Sequence, residues 1–115
     1  MKRTKNAVIA AAEKLGWKVS FRVQESPINP GSVDKYVEFE GYSPAGEDLD
    51  FIEFYRTITD IPRLLRERYA DFDPDEHAAG WYGKNKGEPC SLRALLDDAE
   101  AIGEMIWDLA NALDE

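Results

Sequence analysis

Apolar residues recur along this chain with two different periods, and the places where the period changes mark its elements. Val8, Ala11, Ala12 and Leu15 fall at three- and four-residue steps after Thr4, a residue suited to cap a helix, and Gly16 can take the left-handed conformation that ends one. This predicts a first helix. From Trp17 to Gln24 the pattern becomes strict alternation, with Trp17, Val19, Phe21 and Val23 on one face and Lys18, Ser20, Arg22 and Gln24 on the other, as in a half-buried strand. Residues Ser26 to Ser32 carry two prolines and a glycine, the chemistry of an exposed loop. A second strand is expected from about Lys35 to Tyr42, with Val37 and Phe39 inward and Glu38 and Glu40 outward. Ser43-Pro44-Ala45-Gly46-Glu47 reads as a hairpin turn, and a third strand follows over Leu49 to Tyr55.

Beyond Tyr55 the helical period returns. Thr59 or Asp60 can cap a helix that has Pro62 in its first turn and Ile61, Leu64, Leu65, Tyr69 and Phe72 along one stripe. Asp73-Pro74-Asp75-Glu76 opens a short helix to about Tyr82, with an aspartate cap, a proline at the first position and acids behind it. Ser91 caps the longest helix, whose stripe includes Leu92, Leu95, Leu96, Ala99, Ile102, Gly103, Ile106, Leu109, Ala110 and Leu113. One sheet face is polar and the other apolar, so the helices should cover a single side. The expected architecture is a single α+β domain over residues 1–115, ordered α-β-β-β-α-α-α around an antiparallel meander. In that meander Lys18 and Arg22 can lie across from Glu38 and Glu40 on the solvent face.

Composition narrows what such a domain does. The chain has 115 residues, 43% apolar, and 23 acidic side chains against 14 basic ones, for a formal charge of -9. That balance disfavours direct binding to nucleic acid or anionic membranes and favours a basic protein surface as partner. The charge is unevenly placed: +5 over residues 1–22, -7 over 23–55, +2 over 56–68 and -9 over 69–115. The two ends can therefore attract each other or face different partners. The basic start followed by Ala7 to Ala12 imitates part of a signal peptide, but the apolar run stops at Glu13-Lys14, and no run approaches membrane-spanning length. One cysteine, Cys90, and one histidine, His77, neither form a disulfide nor make up a four-ligand zinc site, which fits a reducing cytoplasm.

Candidate chemistry is sparse. Asp71, Asp73, Asp75 and Glu76 begin like a calcium loop, but the loop would need glycine at Glu76 and glutamate at Tyr82, so capping is the better reading and no metal or cofactor is expected. Cys90 and His77 lack the orienting third group of a nucleophile–base pair. Gly83 to Gly87 reads as a connecting loop without phosphate-loop spacing, and Glu38 and Glu53 are assigned to the solvated sheet face. The distinctive feature is the outer face of the last helix. There Asp97, Glu100, Glu104 and Asp108 stand at three- and four-residue steps with only Arg93 as a nearby cation. Such a row has about the spacing of phosphates along a nucleic-acid strand. Trp81 and Trp107 are candidate apolar anchors beside it.

Tyr42 to Asp48, Asp73 to His77, Trp81, and Gly87 to Arg93 with Asp97-Asp98-Ala99 together resemble small acidic proteins carried on phage and conjugative elements of gut Firmicutes, over about residues 36–113. The resemblance implies a bacterial mobile-element setting and brings no activity with it. Gly87 to Leu92 is also similar to a segment of antirestriction proteins that imitate DNA. The order helix, three strands, helix is similar to the double-stranded-RNA-binding domain, although Thr59-Asp60-Ile61-Pro62-Arg63 stands where that family places a lysine cluster. The leading expectation is thus a non-enzymatic binding protein, in its sharpest form a nucleic-acid-mimicking inhibitor. The alternatives are a nucleic-acid-binding module using Lys2, Arg3, Lys5, Lys14 and Lys18, and a small enzyme built on carboxylates in a polar pocket.

Overall fold

The computed structural model describes residues 4–85 and 91–114. Thr4 caps α1 (Lys5–Lys14), its hydroxyl accepting the Ala7 N–H at 3.1 Å, and Gly16, at φ +93°, turns the chain into the sheet. Strands β1 (Lys18–Glu25), β2 (Val33–Tyr42) and β3 (Asp48–Phe54) form an antiparallel meander in the order β1-β2-β3. A 3-10 turn (Ile58–Asp60) leads into α2 (Ile61–Asp71), followed by α3 (Pro74–Asn85) and α4 (Leu92–Asp114). The helices pack on one face of the sheet, giving the α+β order expected from the pattern.

Register follows from the alternation. Val19 lies opposite Phe39 and Phe39 opposite Phe51, so the apolar residues of all three strands stack on the helix-covered face. On the open face Lys18 stands opposite Glu40, and Arg22, opposite Tyr36, reaches diagonally to Glu38 at 3.6 Å. Gly41 faces the helices, where a Cβ would come within 2.8–3.3 Å of the Trp17 indole.

The 23-residue α4 spans two apolar clusters. Its C-terminal half puts Leu109, Ala110 and Leu113 among Val8, Phe39, Ile61 and Leu65, joining α1, the sheet and α2. Its N-terminal half puts Leu95 and Ala99 against Ala78, with Phe72 and Trp81 packed around them. The period of α4 and its amphipathic contrast are what let one helix serve both clusters.

The structure corrects some expectations. Leu15 occupies the C-cap position and is 44% exposed, because the helix ends before its side chain can turn inward. Val23, 64% exposed, belongs to the inward face, but the β1–β2 hairpin runs on past the helices that would cover it. Ser26 is buried, its hydroxyl accepting the N–H groups of Ile28 and Asn29 at 3.3 Å, so the expected open loop is closed at its base. Leu92 and Tyr69 are largely exposed at the margins of their stripes. Gly83 to Asn85 continue α3 and are not loop, whereas Lys2, Arg3, Lys86 and Cys90 lie outside the described residues.

Candidate binding cleft

The main concavity has a volume of about 590 Å³ and lies between β3, α2, the start of α3 and α4. Its floor is apolar: Leu49 and Phe51 come from β3, Leu64 from α2, Ile102 and Ile106 from α4, with Trp17 and Phe72 between them. Carboxylates form the rim, with Glu47, Asp48, Asp50 and Glu53 along the β3 side and Glu67 and Asp71 along α2. Residues Glu47 to Phe51 all line the cleft although neighbours point to opposite sheet faces, so its wall is the edge of β3 itself.

The basic side chains of the cleft are already engaged. Arg68 donates from Nε to Glu53 and from Nη2 to the Ile52 carbonyl at 2.9 Å, while its guanidinium lies 4.7 Å from the Phe51 ring centroid. His77 places Nε2 at 2.8 and 3.0 Å from the two Glu47 oxygens and packs its ring on Phe72. Glu67 is held by Arg63 at 2.9 Å. Asp48 and Asp71 carry no ion pair among the described residues. The Glu47–His77 pair also lines a smaller, mostly apolar pocket of about 320 Å³ walled by Ala78, Trp81 and Leu95.

Local sequence explains how these groups are held. Asp73 caps α3 by accepting the N–H of Asp75 at 3.0 Å and of Glu76 at 3.3 Å, which fixes His77 in the first turn. The hairpin that carries Glu47 closes through the Ser43 N–H to the Glu47 carbonyl at 2.9 Å, with Gly46 at φ +90°. Asp98 of α4 then ties the turn down, accepting from the Ser43 hydroxyl at 2.7 Å and the Ala45 N–H at 2.8 Å. On the open sheet face the carboxyl of Glu38 is held above its ordinary range, chiefly by a hydrogen bond with Asp50 and further by partial burial and the charges of Asp50 and Glu40. Asp60, which accepts the Thr57 N–H at 3.1 Å, is held below its ordinary range by that bond.

The expected site residues separate into two places. Asp97, Glu100, Glu104 and Asp108 are all exposed along the side of α4 opposite its buried stripe, with Arg93 at 4.0 Å from Asp97. Trp107 adjoins that row, 40% exposed, with Tyr69 at 5.0 Å between ring centroids and the Arg66 guanidinium at 5.8 Å. Trp81 packs instead with Ala78, Leu95 and Ala99 on the inner side. Of the basic N-terminal residues, Lys5 sits 5.7 Å over the Phe21 ring and Lys18 faces Glu40.

Sequence reasoning missed the cleft and three of its parts. Glu53, expected on the solvated face, lies on the helix-covered face against Arg68; its parity with Leu49, Phe51 and Tyr55 was the available signal. The Glu47–His77 and Ser43–Asp98 contacts span 30 and 55 residues and leave no periodic trace. Among the described residues no group of three or more His, Cys, Asp and Glu is arranged to hold a metal, and no helix is long and apolar enough to cross a membrane. No family model, curated protein or solved structure matches this chain.

Proposed function

We propose that this chain is a non-enzymatic binding protein of a bacterial mobile element that holds a basic protein partner in the cytoplasm. The observation that carries the reading is the cleft, an apolar floor lined by carboxylates and by an arginine already paired within the molecule. Such a surface offers burial to the apolar stem of a lysine or arginine and a carboxylate to its charged head. Titration with a lysine-containing peptide at low and physiological salt tests it: binding that weakens with salt and with Asp48→Asn/Asp71→Asn supports the reading, and binding unaffected by both refutes it.

The exposed row on α4 supports a finer reading, a nucleic-acid-mimicking inhibitor of a host nucleic-acid enzyme. Asp97, Glu100, Glu104 and Asp108 extend for about three helical turns along one outward line, unneutralised except at Asp97. Inhibition of duplex cleavage by a restriction endonuclease, abolished when the four residues are changed to Asn or Gln, is the expected result. Equal inhibition by the changed protein would remove the row from the mechanism.

A further inference from the structure

The edge of β3 has a hydrogen-bonding face that, among the described residues, only Arg68 touches, at the Ile52 carbonyl. Tyr55 donates its N–H to the Lys35 carbonyl and Ser43 donates to the Glu47 carbonyl, so in this ladder the odd-numbered residues of β3 bond to β2. The N–H and C=O groups of Asp48, Asp50 and Ile52 therefore point away from the sheet. The Ile52 carbonyl is capped by Arg68, and the other groups have no partner among the described residues. This open stretch is the wall of the cleft.

From this we infer that β3 accepts a short extended segment of a basic partner as a fourth strand, an inference that rests on the binding reading above and specifies how the partner is held. An added antiparallel strand places its residues opposite Asp48 and Asp50 on the open sheet face, beside two carboxylates, and its intervening residue over the cleft floor at Leu49, short of Phe51, which Arg68 covers. The fitting segment alternates Lys or Arg with apolar residues. Charge selects against a second copy of this chain, because two β3 edges paired about a twofold axis bring aspartates against aspartates. Arg68 limits the ladder at Ile52, so the docked segment is short, and main-chain bonds supply a share of its affinity that charge alone does not.

Three peptides of alternating Lys and Val separate these contributions: one unmodified, one N-methylated at every lysine, and one N-methylated at every valine. In the inferred pose the lysine N–H groups face β3 and the valine N–H groups face solvent. The unmodified and valine-methylated peptides should bind with similar affinity and slow hydrogen exchange at the Asp50 and Ile52 amides. The lysine-methylated peptide should bind at least about tenfold more weakly, a difference of about 1.4 kcal/mol. Equal binding of all three, without protection of those amides, overturns strand addition and leaves the basic-partner reading standing. Failure of all three to bind overturns both.

Discussion

Two glycines in this fold offer opposite responses to the same added methyl group. At Gly41 on β2, a Cβ would lie 2.8 Å from Cε3 and 3.0 Å from Cζ3 of Trp17. That indole is only 2% exposed and is braced edge-on by Phe39 and Phe51 at centroid distances of 6.5 and 5.5 Å, so shifting it breaks those contacts. At Gly103 in the middle of α4, the nearest atoms to a Cβ are Phe72 Cδ2 at 3.6 Å and Tyr69 Cε1 at 3.7 Å, which is ordinary contact. Alanine improves on glycine by about 0.5–1 kcal/mol inside either kind of element, through the smaller entropy lost on folding. Gly103→Ala should keep that gain. Gly41→Ala should lose it, because a 2.8 Å approach calls for overpacking in the upper part of the usual range, about 2–3 kcal/mol, for a net loss of about 1–2.5 kcal/mol. With 115 residues, an unfolding entropy of about 2.1 cal/mol/K per residue makes 1 kcal/mol equivalent to about 4 °C in Tm. Thermal melts followed by circular dichroism should therefore show Gly103→Ala about 2–4 °C above the parent and Gly41→Ala about 4–10 °C below it. In a Trp17→Leu background the Gly41→Ala penalty should largely vanish, since the two side chains compete for one space. A Gly41→Ala protein as stable as the parent would refute the seating of Trp17 on β2.

Other perturbations probe different links. Leu109→Ala removes a fully buried side chain from the cluster joining α1, the sheet and α4, and urea unfolding should show a loss of about 2–5 kcal/mol with an unchanged m-value. Asp98→Ala frees the Ser43 hydroxyl and the Ala45 N–H, and should cost about 1–3 kcal/mol while speeding hydrogen exchange at Ala45. Because Glu38 is held above its ordinary range, the folded state takes up its proton more readily than the unfolded chain, and stability falls as pH rises through the carboxylate range. Glu38→Gln should thus stabilise the protein at neutral pH and lose that advantage in acid, which melts at pH 7 and pH 3 will compare. Asp60, held low, acts in the opposite sense: its contribution is present near neutrality and disappears as pH falls below the ordinary aspartate range, a loss Asp60→Asn should abolish.

Much of the fold is local in origin, which is why it can be read along the chain. Alternation over Trp17 to Gln24 and the three–four stripe of α4 follow from the two-residue and 3.6-residue repeats of the backbone. Thr4, Asp73 and Ser91 cap their helices in the structure because a short oxygen-bearing side chain at that position reaches an N–H two or three residues on. The outward setting of Asp97, Glu100, Glu104 and Asp108 follows from the same helical repeat.

Local pattern failed where a side chain's surroundings come from a distant segment. Val23 and Phe39 both sit on the inward face of the meander, yet only Phe39 lies beneath helices, since coverage depends on where α1, α2 and α4 end in space. Glu53 has the parity of a core residue and the chemistry of a surface one, and Arg68 resolved the conflict by reaching it across the β3–α2 gap. Glu47, His77 and Asp98 lie far apart in the chain and become parts of one assembly only where α3 and α4 close on the hairpin. The sequence by itself determined the elements, their order and the direction each face turns, because those follow from backbone repeats and single-residue capping. Only the tertiary structure decided the cleft and the open edge of β3, because both are made by gaps between elements, and a gap has no residues of its own to announce it.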